Sequence, residues 1–229
     1  MMQTRAASVA AEMIDAVKAG DADALRSILQ RDPAAASARA DGGDSPLLIA
    51  LYHGRRDLAE VLLAHGWRPD AFEAAALGDT DTLRAALDGE PSAVTRFSND
   101  GWTMLHLAGF FGHVDAVRLL LERGAGANAV SVNGMRNTPL HAGMAGPARL
   151  EAARLLVAAG ADVNARQHGG YTALHSAAQH GSIELIDLLL GAGADPNLPT
   201  EDGRRAVDFA REQGHTEAGA HLVSRGAAA

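Results

Sequence analysis

The chain has 229 residues, of which 47% are hydrophobic and 21% charged, and its net charge is -8. This composition supports a continuous apolar core, and the excess of acidic residues, 28 against 20 basic, disfavours binding to a phosphate backbone, so nucleic acid is not an expected partner. There is no cysteine, which excludes disulfides and thiolate metal ligands and favours a soluble protein of the reducing cytoplasm. No apolar stretch reaches the roughly 18 residues that membrane insertion needs.

A short motif recurs along the chain, led by Ser or Thr and followed two residues later by Leu. It occurs at Ser45–Leu48, Thr103–His106, Thr138–His141 and Thr172–His175. In the first, second and fourth of these a glycine follows nine residues after the leading residue, and another follows twenty-one residues after it, closing a run of Leu and Val. Each unit is therefore predicted to be a short helix, a glycine turn and a second helix.

Each motif position has a physical role. The leading hydroxyl is predicted to cap the first helix by accepting a hydrogen bond from an amide of its first turn. The His three residues later stands where a capping box carries Glu or Gln, so it can bond back to the cap or across to a neighbouring segment. The glycines end helices because they enter the left-handed conformation without strain.

The run Thr138-Pro139-Leu140-His141-Ala142, with Gly160-Ala161-Asp162-Val163-Asn164 after it, resembles the ankyrin repeat, whose period is about 33 residues. The resemblance implies an all-α ankyrin repeat solenoid of helix-turn-helix repeats with projecting β-turn fingers. It implies one domain, residues 6–226, with repeats at 6–38, 39–68, 69–96, 97–129, 130–165, 166–198 and 199–226. About fourteen helices in two layers are expected, with no strand longer than a finger.

The weaker units depart from the motif. Leu48 replaces the His in the unit that begins at Ser45, and Arg205 and Asp208 replace the Thr and His of the last unit. Terminal repeats are atypical because one face meets water. The unit that begins at Thr138 has one extra residue in its turn and two more in the finger ahead of it.

One joint is too short for a finger. Shifting the sequence by 58 residues places the unit of Ser45 on that of Thr103 and Gly66 on Gly124. Twelve residues lead from Gly160 to the next capping position at Thr172, but only three lead from Gly66 to Pro69, which aligns with that position. The second and third repeats are therefore predicted to join without a projecting β-turn.

The histidines do not indicate a metal or catalytic site. His106, His141 and His175 occupy matching places on successive helices, which pack roughly 8–10 Å apart, whereas zinc needs nitrogens about 2.0–2.1 Å from one ion. No nucleophile elbow or phosphate-binding glycine loop is present. No catalytic residue, metal or cofactor is therefore expected, and the chain is not predicted to be an enzyme.

Residues that do not repeat are better candidates for function. In stacks of this family the first helices and the fingers line a concave surface, and the two residues before each turn glycine face it. Large aromatic side chains in such a place are typical of a protein-binding hot spot, although they can also fill the space left by the missing finger. The candidate partner-binding residues are Tyr52, His53, Trp102, Phe110, Phe111, Met135, Met144, Tyr171 and His180.

The resulting hypothesis is a monomeric, non-enzymatic interaction module that binds another protein through its concave groove. The alternative is a domain that binds a small metabolite or regulates an enzyme, which would require an enclosed pocket with convergent polar groups. The resemblance indicates the mode of action and not the identity of the partner.

Overall fold

The computed structural model describes residues 2–32, 34–35 and 45–228, with side chains from Ser8 onward. Within these ranges the chain forms fourteen α-helices and no β-strand, which confirms the predicted all-α solenoid. The predicted boundary between residues 38 and 39 lies outside the described residues. The helices are α1 (Met2–Ala19), α2 (Ala22–Arg31), α3 (Pro46–Tyr52), α4 (Arg56–Ala64), α5 (Ala71–Leu77), α6 (Thr80–Gly89), α7 (Met104–Phe111), α8 (Val114–Glu122), α9 (Pro139–Ala145), α10 (Arg149–Ala158), α11 (Ala173–Gln179), α12 (Ile183–Gly191), α13 (Ala206–Glu212) and α14 (Thr216–Ser224).

The helices form two layers, because each odd-numbered helix packs on the next odd-numbered one and also on its even-numbered partner. From α3 onward the odd-numbered, inner helices have only seven or eight residues, and α7 is buried on nearly every face from Met104 to Gly109. The even-numbered, outer helices bury one stripe, for example Val117 and Leu120 of α8. Each such leucine contributes about 1.5–3 kcal/mol by leaving water, so the continuous inter-layer core stabilises the stack.

Helices α3, α7, α9 and α11 begin at the predicted cap residues, and in α7, α9 and α11 an imidazole is part of the cap. The N–H of Thr103 donates to Nδ1 of His106 at 3.2 Å, and the Thr103 hydroxyl lies 2.8 Å from the same nitrogen. The hydroxyl also accepts from the N–H of His106 at 3.4 Å. His141 and His175 repeat the contact with Thr138 and Thr172.

Four fingers of the described ranges project from the inner-helix side, closed by backbone hydrogen bonds from Ser98 to Trp102, Ser131 to Asn137, Gln167 to Tyr171 and Thr200 to Arg204. Neighbouring fingers are joined by further backbone bonds, since Val132 donates to Gly101, His168 to Met135 and Glu201 to Gly169. The predicted fingers thus form one hydrogen-bonded row.

The joint between α4 and α5 contains only residues 65–70 and has no finger, as the spacing predicts. The N-cap of α5 is Asp70 and not Pro69, because Asp70 supplies the side-chain oxygen that accepts from two amides of the first turn. Glu73 completes the capping box and is fully buried. Its carboxylate accepts from the Ser45 hydroxyl and from the indole N–H of Trp67, which ties the joint to the preceding repeat.

Candidate functional site

Four aromatic rings from two repeats meet on the inner-helix side. Tyr52 ends α3, Phe110 and Phe111 end α7, and Trp102 lies in the finger before α7. The ring centroids of Tyr52 and Phe111 are 5.4 Å apart, and those of Trp102 and Phe110 are 5.1 Å apart. We call these four residues the aromatic cluster. Tyr52 is 39% exposed and the other three rings are half-buried, so the cluster packs against itself and still presents apolar surface to water.

Hydrogen bonds fix one edge of the cluster. The Tyr52 hydroxyl donates to the carboxylate of Asp100, which lies in the same finger as Trp102. Burial, and then this carboxylate, raise the pKa of Tyr52 well above its ordinary value of 10.0. Tyr52 therefore remains a neutral donor and holds α3 to a finger two repeats further along the chain.

A cavity of about 450 Å³ opens beside the cluster, between the fingers and the inner helices α9 and α11. Trp102 and Phe110 line it from one repeat, and Tyr171 lines it from the finger two repeats further along the chain. Ala142, Met144 and Ala145 of α9 contribute to the lining, and Met135 and Asn137 come from the finger that Ser131 and Asn137 close. We call this space the groove cavity.

The structure brings most of the predicted residues together, with one correction. Met144, predicted to be exposed on the groove, is buried at 1% exposure. Gly146 comes eight residues after the cap Thr138, whereas Gly112 and Gly181 come nine residues after their caps, so Met144 takes the place of the buried Leu51 and Ala178. Ala145, in the place of Tyr52 and Gln179, is the exposed residue, while Met144 still lines the groove cavity.

The remaining candidates are Met135, His53, His180 and Tyr171. Met135 is 50% exposed and lines the groove cavity. His53 and His180 are exposed at the ends of α3 and α11, and neither lines the cavity. Tyr171 is held in place, because Arg204 donates to its hydroxyl at 3.1 Å and its ring lies 5.4 Å from that of Phe209.

A second concavity lies where the missing finger would project. It has a volume of about 400 Å³ and is lined by apolar side chains that include Leu48, Phe72 and Phe97, with Asp70 and Asp100 beside them. Phe97 is 40% exposed. Sequence reasoning found the gap from the short joint but missed Phe72 and Phe97, since neither stands at a motif position.

The motif histidines are structural. Nε2 of His106 bonds to the carbonyl of Asn137 at 3.1 Å, and Nε2 of His141 bonds to that of Tyr171 at 3.2 Å, so each imidazole ties its helix to the next finger. Burial lowers the pKa of His106 to about 4 from an ordinary 6.5, and it also lowers the pKa values of His141 and His175. Each imidazole is therefore neutral and takes part in the cap of its own helix.

The described part of the chain lacks two kinds of feature. No group of three or more His, Asp or Glu side chains there is placed to hold a metal ion. No helix there is long and apolar enough to cross a membrane.

Helix pairs in two layers, with a bonded row of fingers and an open groove between them, define a helical repeat protein. The family model for ankyrin repeats, described as three copies, matches residues 71–167 and 149–228. The chain belongs to the ankyrin-repeat family, whose repeats are generally protein–protein interaction modules.

Curated relatives support this assignment. The chain is 33% identical over 154 residues to the B-cell lymphoma 3 protein homolog of Mus musculus, covering 62% of this chain and 34% of the relative. It is 34% identical over 141 residues to ankyrin repeat and SOCS box protein 18 of Homo sapiens, covering 58% and 30%. It is 36% identical over 116 residues to neurogenic locus notch homolog protein 4 of Homo sapiens, covering 51% and 6%. The chain thus spans about a third or less of the length of these relatives.

Proposed function

We propose that this chain is a non-enzymatic module that binds a partner protein in the groove formed by the fingers and the inner helices α7, α9 and α11. The observation that carries the proposal is the aromatic cluster next to the groove cavity. Half-buried aromatic rings beside a concave, mostly apolar surface have the composition of an interface hot spot.

Hydrogen bonds hold two of the aromatic side chains beside the groove in place. The Tyr52 hydroxyl is bonded to Asp100 and the Tyr171 hydroxyl to Arg204, so both polar ends are fixed by the protein. Such pre-positioned rings lose little conformational freedom when a partner binds.

The groove cavity also bears on the metabolite alternative. Its volume lies within the range of small-molecule sites, about 300–1,000 Å³. Its lining contains no Asp, Glu, Lys or Arg, whereas small charged metabolites are usually anchored by such groups. We therefore favour a protein partner. The absence of nucleic-acid binding, the monomeric state and the cytoplasmic location stay predictions.

The test is peptide selection with matched variants. A displayed peptide library is selected on the full chain, and dissociation constants of the selected peptides are measured for two alanine-to-arginine variants. Ala145 is an exposed residue in the lining of the groove cavity, and Ala158 is an exposed residue at the end of outer helix α10. Ala145→Arg should weaken binding at least tenfold, about 1.4 kcal/mol, and Ala158→Arg should leave it unchanged. Equal effects of the two variants would contradict groove binding.

The aromatic cluster is tested by Phe111→His, because His53 holds the corresponding place 58 positions earlier. Selected peptides should bind this variant at least tenfold more weakly, about 1.4 kcal/mol, while circular dichroism still shows a cooperative helical melt. If the variant melts early and its folded fraction binds normally, the rings are packing and not a binding surface.

A further inference from the structure

Neighbouring fingers are joined by one recurring backbone hydrogen bond. The donor is always the residue directly after the one that opens the finger, and the acceptor is a carbonyl in the turn of the preceding finger. The three bonds run from Val132 to Gly101, from His168 to Met135 and from Glu201 to Gly169, at 2.9–3.0 Å. Each finger after the first in the described ranges is therefore held to its predecessor by the same amide.

The corresponding amide of that first finger has no finger to bond to. It belongs to Asn99, which directly follows Ser98. In the described part of the chain nothing accepts from the N–H of Asn99, because the joint of residues 65–70 supplies no preceding finger. Asn99 is exposed, so its donor is accessible from outside. The row thus ends in an open edge, as an unpaired edge strand ends a sheet.

The second concavity, of about 400 Å³, lies against this open edge. Asn99 is part of its lining, together with the half-buried ring of Phe72 and the 40% exposed ring of Phe97. When a segment of one protein adds to an open edge of another, main-chain hydrogen bonds give affinity and pockets for side chains give specificity. The second concavity places both elements side by side.

The charges around the second concavity restrict its occupant. The lining contains the carboxylates of Asp70 and Asp100 and no Lys, Arg or His. An acidic segment would meet charge of its own sign there, which opposes association. The complementary segment is therefore neutral or basic.

We propose that the second concavity is a docking site for a neutral or basic β-turn of another protein, which takes the place of the missing finger. A backbone carbonyl of this turn accepts from the N–H of Asn99, and an apolar side chain beside it packs on Phe72 and Phe97. The occupant is a turn because each joint in the row uses a single carbonyl in the turn of a finger. The inference goes beyond the proposed function, since the second concavity shares no lining residue with the groove cavity.

The test removes the N–H of Asn99 and keeps the finger. Asn99 is the second residue of a β-turn, because Gly101 donates to the carbonyl of Ser98 at 2.9 Å, and proline is favoured at that position. Asn99→Pro therefore deletes the donor, whereas the matched control Asn99→Ala deletes the side-chain amide and keeps the donor. The probes are cyclic peptides selected from a displayed library on the variant Ala145→Arg, in which the groove cavity is obstructed.

The selected peptides should bind Asn99→Ala as tightly as the unmodified chain and Asn99→Pro at least tenfold more weakly. Hydrogen exchange followed by ¹H–¹⁵N NMR gives a second measurement that needs no variant. In the free, unmodified chain the amide of Asn99 should exchange at least tenfold faster than that of Val132, and a bound peptide should slow it at least tenfold. This measurement stands even if Asn99→Pro does not fold.

Four results would overturn the inference: equal affinity of the peptides for the two Asn99 variants, no peptide selected on Ala145→Arg, slow exchange of the Asn99 amide in the free chain, or exchange of this amide that bound peptide leaves unchanged. The proposed function is tested separately. If peptides selected on the unmodified chain are weakened by Ala145→Arg and none by Asn99→Pro, the proposed function holds and this inference fails.

Discussion

Acid should destabilise the stack well before its carboxylates are protonated, because the buried capping histidines must stay neutral. The N–H of Thr103 points at Nδ1 of His106, so this nitrogen has to accept and the proton resides on Nε2, which donates to Asn137. Protonation of Nδ1 would place two hydrogens against each other in a buried site. Burial accordingly lowers the pKa of His106 to about 4.

The sign and size follow from linkage. A lowered folded-state pKa means that the unfolded chain binds more protons between pH 6.5 and 4, so stability is present above about 6.5 and lost as the pH falls. With a pKa of about 4 folded and 6.5 unfolded, this histidine alone should remove about 2 kcal/mol between pH 7 and 5. His141 and His175 shift in the same direction and add to the loss.

The assay is the urea midpoint measured from pH 7 to 5, a window above the ordinary titration of carboxylates. His106→Gln keeps an acceptor and a donor at the capping-box position but does not titrate, so its midpoint should fall less steeply than that of the unmodified chain. His180→Gln, the loss of an exposed imidazole, is the control. A slope for His106→Gln equal to that of the unmodified chain would refute the argument.

Three smaller predictions concern single contacts. Gly112→Ala should lower the urea midpoint more than Gly124→Ala. Both backbones are left-handed, but only at Gly112 would the new Cβ lie 2.6 Å from a proline ring. Equal losses would show that the turn relaxes. Thr172→Ala should cost about 0.5–2 kcal/mol, and an unchanged midpoint would show that its hydroxyl does not support the cap. Tyr52→Phe should cost about 1 kcal/mol in thermal unfolding by losing the bond to Asp100 while keeping its ring contacts; a loss as large as that of Tyr52→Ala would mean that the hydroxyl dominates.

The repeat period predicted the architecture because each motif residue acts on the backbone and side chains close to it in sequence. A cap, a turn glycine or a Leu stripe acts within a few residues of itself, so it can be read from one stretch of sequence. Thr103, Gly112 and Leu120 therefore stand where the spacing places them.

The site was less predictable, because it depends on contacts between repeats. The predicted exposure of Met144 was wrong because Gly146 lies one residue nearer its cap than the other turn glycines, so counting back from it reached a buried position. Asn99 was missed because its open donor depends on the hydrogen bonds between neighbouring fingers and not on the residue type. Likewise, the aromatic residues were found as a set, but their contacts with one another across repeats follow only from the packing of α3 and α7 around the short joint.

The departures from the motif at Leu48 and Asp208 are related to whether a finger follows the helix. An imidazole at the capping position can donate from Nε2 to the last carbonyl of the finger that follows, as His106 and His141 do. His175 is also followed by a finger, but its Nε2 is buried without a hydrogen-bond partner among the described residues. Leu48 precedes the joint without a finger, so a histidine there would bury a donor that has no acceptor. Asp208 is in the last pair of described helices, where no further described finger follows, and its carboxylate accepts from the N–H of Arg205 and pairs with Arg211 at 3.8 Å.

Glu73 stands at the same capping-box position of α5 but does not follow this pattern. A finger does follow it, but Glu73 has no proton to donate when ionised, and its carboxylate accepts from Ser45, Trp67 and Asp70, which all precede it in the chain. The fingerless joint is thus tied backwards, from this carboxylate to the preceding cap. The missing finger, Leu48 and Glu73 therefore form one coupled change, and restoring a histidine at position 48 without restoring the finger should destabilise the stack.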